Sequence, residues 1–455
     1  MEAWDVVVVG GGVAALRAAI ASAEAGASVT VLYPQALSSA TDSALNCGFS
    51  APMSEPSQST FFEDTMRVGA DICQPDALKS TIATSLTHLA ELERWGLVLR
   101  RAGDGLPHLG KLPGQSTPRT ANTGDSTTHE LIQILEEQCI KRRIPRRSDI
   151  EVLDLVLTEG GARGLIALDI QSGEIFGIQS KSIILADGGY ESAWNGDGVG
   201  MGNAASLTLR SDLPLADMEF NTMHPLTVAQ TDLTLPLDLL GAGGVVNGAD
   251  GTPLSLEEGP DALAKAVIES GGGTLDLTAI SRTDRVWFER THLALESRCG
   301  IDAFNELIPL MPTISHTIGG IPINTSGQVI DSGGSEVPGL YAAGDAACSG
   351  LHGASANSGD RVLAAITEGA SAGASAASHA SNTKYTGSTA ISTALSEAHH
   401  MHDQILASAG SEGTSAGNIL STLSMTMKAH MGSERNAEGL RSAAEKITEL
   451  RNTSS

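Results

Sequence analysis

The sequence predicts an α/β fold: a parallel sheet covered by helices, interrupted by an inserted α+β unit and followed by a short helical segment. Three stretches carry that prediction. Asp5-Val6-Val7-Val8-Val9 runs into Gly10-Gly11-Gly12-Val13-Ala14-Ala15 and then Leu16-Arg17-Ala18-Ala19-Ile20. Lys181 to Asp187 is a second apolar run, ending at Gly188-Gly189-Tyr190. Val337 to Ala346 is a third, ending at Gly344-Asp345-Ala346. Apolar runs of this kind read as strands buried on both faces, which is what helices packed on a parallel sheet produce.

The first stretch organises the rest. Strand, glycine turn and Ala-rich helix in that order form the Rossmann-like Gly-x-Gly-x-x-Ala dinucleotide fingerprint in its expected context. Gly10 allows the turn. Gly12 leaves no side chain where a pyrophosphate must approach, and Ala15 lets helix and strand pack closely. Val13, Ala14 and Ala15 open the helix, whose N–H groups and positive dipole end suit phosphates.

Composition narrows the classes. The 455 residues suffice for two or three domains. Hydrophobic residues are 41% but aromatics only 3%, so the core is aliphatic and Ala/Gly-rich. Lys+Arg total 28 against Asp+Glu 53, and a net charge of −25 repels phosphate backbones, so no nucleic-acid partner is expected. Cys47, Cys73, Cys139, Cys299 and Cys348 are scattered, which argues against a disulfide framework and against iron–sulfur or zinc in this chain. His399, His400 and His402 lack partners at a recognised ligand spacing, so no metal is expected. There is no signal peptide ahead of the first strand and no run of 18 apolar residues, which predicts a cytoplasmic chain without a direct membrane span.

The remaining elements follow in order. Ser28 to Tyr33 reads as the second strand. A nucleotide unit usually ends it with Asp or Glu, and Tyr33 stands there instead, so the ribose contact is made differently. Pro34 to Pro56 reads as a long loop beside the phosphate site, contributing Ser43 and Gly48. Phe61 to Trp95 looks helical, with Leu86, Leu89, Leu92 and Trp95 on one face. Gly103 to Gly124 is a Gly/Pro loop carrying His108, Lys111 and Arg119. Thr127 opens the next helix, with Thr127 or Asp125 as N-cap. The basic run Lys141 to Arg147 suits that helix's C-terminus. Glu151–Leu157, Arg163–Asp169 and Ile175–Ile178 read as a three-stranded meander. Residues from about Leu213 to Thr313 read as an insertion with loops, short strands and one helix near Pro260 to Glu269. Ser381 to Ser388 reads as a linker, and from Ala390 the pattern is helical again.

This is the plan of a two-part FAD domain holding a capping, substrate-binding insertion. The expected boundaries are 1–212 and 314–380 for the FAD-binding parts, 213–313 for the cap, and 381–455 for the linker and C-terminal helices. Asp345, delivered at a strand end, is placed to accept a hydrogen bond from a ribityl hydroxyl.

The motifs resemble the flavoprotein subunit of the succinate dehydrogenase/fumarate reductase family, which includes L-aspartate oxidase. They are the Gly10 to Ala19 turn and helix; Gly114-Gln115-Ser116; Thr127-Thr128-His129; Ala186-Asp187-Gly188-Gly189-Tyr190; Gly196-Asp197-Gly198; Met223-His224-Pro225; Pro312-Thr313; Ile318 to Pro322; Val337 to Ala347; and His352-Gly353-Ala354. The resemblance covers essentially the whole chain, although members usually continue well past its end. It implies FAD held by Gly10, Gly12, Val13, Ala14, Ala15, Tyr33, Ser43, Gly48, Asp187, Gly188, Gly189, Asp197, Gly344 and Asp345. It implies hydride transfer between flavin N5 and a C4 dicarboxylate, and a separate iron–sulfur subunit through which the chain would sit on a membrane.

The departures bear on the chemistry. Ala40-Thr41-Asp42 replaces a loop whose histidine attaches FAD, so the FAD is expected to be non-covalent. The arginine that gives members their proton donor falls on Leu240, and the Thr-Glu before it on Pro236-Leu237. The histidine after Pro-Thr falls on Ser315, with His316 one place later. The arginine after His352-Gly353-Ala354 falls near Ala356, with Arg361 close by but out of register. His224 is retained. The expected catalytic set is therefore His224, His316 and Arg361. Three functions stay open: a dicarboxylate oxidoreductase, a flavin oxidoreductase for a less anionic substrate, and a non-catalytic flavoprotein subunit.

Overall fold

The computed structural model describes residues 2–34, 47–196, 200–408 and 415–454. Its centre is a sheet whose order is Gln328–Ile330, Glu336–Ala342, Ile175–Leu185, Glu2–Val9, Val29–Leu32, Arg146–Arg147. The first strand lies parallel to Val29–Leu32 on one side and to Ile175–Leu185 on the other, which gives Val6 to Val9 their complete burial. The hairpin of Ile150–Thr158 and Gly161–Asp169 joins antiparallel to Ile175–Leu185. The meander's third strand and the Lys181 run are therefore one eleven-residue strand, not two. The first strand runs along one edge of it from Ile178 onward, while on the other edge the hairpin, paired up to Gln179, gives way to Glu336–Ala342 from Ile183, so the polar Gln179-Ser180-Lys181 marks a change of partner on one edge and not a turn.

The helix Val13–Glu24 packs beside the long helix Asp360–Asn382, and both lie against that sheet. Two glycines set their distance. A Cβ on Gly369 would lie 2.5 Å from the Ala14 carbonyl oxygen, and one on Gly373 would lie 2.2 Å from that of Ala18. Small residues on both helices thus replace the bulky ridges of an ordinary helix contact.

Several expectations are corrected. Phe61 to Trp95 is two helices, Glu55–Val68 and Pro75–Trp95, separated by Gly69 and a turn in which Ala70 and Asp71 take positive φ. Leu89 and Leu92 are buried in the core, with Leu86 and Trp95 packed at its margin. The helix Thr127–Lys141 has Ser126 at its cap position, with no side-chain cap bond. Asp125 is drawn away because its carboxylate accepts the Thr291 N–H at 2.7 Å, and Thr127 Oγ1 instead accepts from Thr123 N–H at 3.1 Å. In the basic run, the Arg142 guanidinium donates to a carbonyl of that helix, at Gln138, while Arg146 and Arg147 form an edge strand.

The inserted region is built on an antiparallel sheet of Val245–Gly248, Gly273–Asp276 and Ile308–Leu310. Leu226, Leu239, Leu263, Leu275, Phe288 and Leu295 fill its core. Besides Pro260–Glu269 it contains a helix that periodicity did not reveal, Glu289–Cys299, whose only buried residues are Thr291 and Leu295. The chain enters and leaves this unit through one antiparallel ladder, Asn221–His224 against Thr313–Thr317. Past the long helix, Ser388–Ser408, Ala416–His430 and Ala437–Ser454 form the C-terminal segment. Ser424 Oγ donates to the Trp194 carbonyl, and Trp194 Nε1 donates to that of Met431 at 3.0 Å, which docks the segment beside Ser192–Asn195. Among the described residues, no helix is long and apolar enough to cross a membrane.

Candidate active site

The glycine turn stands at the C-terminal end of the first strand. Gly10 has φ +125°, and a Cβ on it would lie 2.1 Å from the Ala186 carbonyl oxygen, so the neighbouring strand leaves room for nothing larger. Gly12 occupies the cap position of the first helix in an ordinary extended conformation, with no side-chain cap bond and no acidic residue in the first turn. That helix end is therefore positive and unscreened by its own side chains. Beyond the next strand, Gly188 has φ +94°, and a Cβ there would meet nothing within 4 Å. A glycine-lined space beside a positive helix end fits the pyrophosphate of a dinucleotide.

The other expected contacts divide. Tyr33 is 5% exposed and packs into the core against the first helix. Asp187 caps a different helix: its carboxylate accepts the Ala204 N–H at 3.1 Å, and burial pushes its pKa up to about 7. Gly48 spends its N–H on the insertion, donating to Asp238 Oδ2 at 2.8 Å. Asp345 is ion-paired with Arg361, whose Nε lies 3.2 Å from Oδ1. Ser43, Asp197 and Ala40-Thr41-Asp42 lie outside the described residues. His129 is exposed on its helix and its ring bonds to Gln133, one turn away.

Arg361 is held by a relay of buried polar contacts. Asp360, the first residue of its helix, accepts from Ser50 Oγ and Thr65 Oγ1, both at 2.7 Å. The preceding turn is pinned by the Gly114-Gln115-Ser116 loop: Gln115 Nε2 donates to the Ser358 carbonyl at 2.9 Å, and Ser358 Oγ donates to that of Pro113 at 2.7 Å. The loop is fixed in turn by Asp64, which accepts from Ser116 N–H at 2.8 Å and pairs with the fully buried Arg119 at 2.6 Å.

His224, His316 and Arg361 meet at one cleft of about 390 Å³. The ladder that opens and closes the insertion brings Thr222 opposite His316, two residues from His224. Met223, Leu237, Pro260 and Ala356 give the cleft apolar walls, and Asn357 and Ser358 give it neutral polar ones. Among its described lining residues, Arg361 is the one permanently charged cation. Burial and the Arg361 charge push His224 down to about 3 and His316 well below the usual imidazole range, so both are neutral near pH 7. Leu240 does not line the cleft; it is 6% exposed, in the core of the insertion.

A second space of about 400 Å³ adjoins the first, sharing His316 and Arg361 and adding Asp345, Cys348, His352 and Glu368. Glu368 and Asp238 were missed in the sequence. Glu368 accepts the Gly344 N–H at 3.0 Å, and burial pushes it up to about 7. Asp238 is 1% exposed and is likewise pushed up to about 7 by burial. Each is a lone carboxylate in an otherwise apolar or small-residue run, and that is the signal by which they could have been found.

Known proteins resemble this chain along most of its length. The fumarate reductase flavoprotein subunit of Haemophilus influenzae is 27% identical over 490 residues, covering 98% of this chain and 80% of that one. The succinate dehydrogenase flavoprotein subunit of Rickettsia bellii is 28% identical, covering 98% and 81%. Among solved structures, an E. coli quinol fumarate reductase FrdA variant shares the fold with a TM-score of 0.90 at 23% identity, covering 99% of this chain and 83% of that one. The sequence model of the FAD binding domain matches residues 5–362, and the chain belongs to that family, with FAD as its cofactor.

Proposed function

We propose that this chain is an FAD-dependent oxidoreductase of the succinate dehydrogenase/fumarate reductase type, moving a hydride between its flavin and a C4 dicarboxylate. The observation that carries the reading is the convergence of His224, His316 and Arg361 on one cleft beside the Gly344-Asp345 turn. The relatives' names supply the substrate pair.

Gly10, Gly12 and the first helix would hold the pyrophosphate, and Gly188, Gly344 and Asp345 the remainder of the cofactor, without a covalent bond. The bound flavin supplies hydride acceptance and donation. The protein's side chains do the rest. Arg361 shares its charge between Asp345 and a substrate carboxylate. His224 accepts the Leu226 N–H on Nδ1 at 3.2 Å, which leaves its proton on Nε2 as a fixed donor to the cleft. Met223, Leu237 and Pro260 exclude water from the reacting carbons. An iron–sulfur partner subunit as electron carrier, and through it a peripheral place on a membrane for a cytoplasmic chain, belong to the same proposal.

One observation favours a second reading, a less anionic substrate: the one permanent cation among the cleft's described lining residues is already paired with Asp345. Anaerobic titration of the flavin absorbance decides between them. Bleaching by succinate, or re-oxidation by fumarate, supports the first reading. Bleaching by other reductants alone supports the second. A flavin inert to both leaves only a non-catalytic role.

A further inference from the structure

We propose that His316 takes up one proton on Nε2 when a dicarboxylate enters the cleft, so that anion binding at this site is coupled to proton uptake. The proposal rests on the dicarboxylate reading above, and it begins from charge. Arg361 and Asp345 cancel, and both histidines facing the cleft are neutral. A dianion would bring two negative charges into a space whose described lining residues carry no net positive charge, which is costly unless positive charge is created there.

The hydrogen bonds say where. His224 is poorly suited, because a second proton would go on Nδ1, which already faces the Leu226 N–H. His316 is held in the opposite tautomer. Ser315 Oγ donates to the Thr222 carbonyl at 3.3 Å and stands 2.9 Å from His316 Nδ1. Both bonds form together when Nδ1 carries the hydrogen, which leaves Nε2 a bare acceptor. That Nε2 is buried without a partner among the described residues, on a side chain 7% exposed and shared by both spaces. It is an unsatisfied lone pair where an anion needs a donor. The other ionisable groups around it are His224 and Cys47 in the cleft, His352, Asp345, Glu368 and Cys348 in the adjoining space, and Arg361 in both. Burial, Arg361, His352 and His224 all oppose a charge on His316, and a carboxylate beside Nε2 offsets them. The proton comes from solvent, and Nε2–H then donates to the carboxylate.

Calorimetry of malonate binding to the FAD-loaded protein, in buffers of different ionisation enthalpy, measures the proton directly. Malonate lacks the adjacent methylenes needed for dehydrogenation, so only binding is read. The expected result is about one proton per malonate, with Kd rising about tenfold per pH unit between the pKa of free His316 and its raised value in the complex. His316→Gln keeps a polar side chain that cannot become charged; it should abolish the uptake and flatten the pH profile, with FAD content reporting intact folding. Should that variant lose FAD, His316→Asn serves, and the wild-type buffer comparison decides alone. Malonate binding without proton uptake, or uptake unchanged in a folded His316 variant, overturns the proposal and leaves the dicarboxylate reading standing. No binding of malonate, succinate or fumarate at any pH, with FAD in place, overturns both.

Discussion

Gly12→Val separates what the turn does for the fold from what it does for the cofactor. Gly12 has φ −83° and ψ −174°, which valine can adopt, and the position is partly open. Valine is a poor N-cap, so the helix end should lose about 1 kcal/mol, a Tm shift of no more than about 4 °C. The cofactor loses far more. A branched side chain at the helix end excludes the pyrophosphate, forfeiting the dipole's attraction of up to about 2 kcal/mol and at least one charged hydrogen bond of about 1.5–3 kcal/mol. Together these predict affinity down more than about 100-fold. The assay is flavin content by absorbance on purified protein, alongside thermal unfolding with and without added FAD. Gly10→Ala is the contrasting control: with φ +125° and a Cβ 2.1 Å from the Ala186 oxygen, it should damage the fold itself. Stoichiometric FAD on a folded Gly12→Val variant would refute the reasoning.

Gly373→Val should lower Tm by more than any exposed substitution on the same helix, since its side chain meets the Ala18 carbonyl oxygen at 2.2 Å and overpacking costs about 1–3 kcal/mol; an unchanged melt would show that the helices part freely. His224→Ala should keep full flavin content but lose at least about tenfold in turnover with succinate or fumarate, and steady-state kinetics equal to wild type would remove His224 from the site. Asp238 bears on pH. Its folded pKa is raised to about 7 from an ordinary carboxylate value, so the folded state binds the extra proton. That contribution is full below pH 4 and is lost as pH rises through 7. Asp238→Asn, which can still accept the Gly48 N–H, should therefore flatten the fall in Tm between acid and neutral pH. A wild-type slope in the variant would assign the titration elsewhere.

How much of this was legible depends on the range of the interaction involved. The fingerprint was readable because its requirements lie within ten residues: apolar strand, positive-φ glycine, small helix face. The same locality served the apolar strand that leads to Gly344-Asp345, and the family resemblance supplied His224, His316 and Arg361 as candidates. The helix Glu289–Cys299 was missed because it buries only two residues and shows almost no stripe. The strand Ile175–Leu185 was cut in two because its polar middle marks a change of neighbours, and neighbours are not written in sequence.

The roles of the charged residues were decided in three dimensions. Asp125 follows every rule of an N-cap, yet it bonds to Thr291, 166 positions away. Asp345 ends its strand as expected, yet it meets Arg361 from the following helix. Asp238 looks like an unremarkable acid in a leucine run until the fold buries it against Gly48. Backbone conformation is set by near neighbours and a two-state pattern of burial, so the order of residues specified the frame. A buried charge is governed by whichever partner the finished fold brings within about 3 Å, and that partner can stand anywhere along the chain.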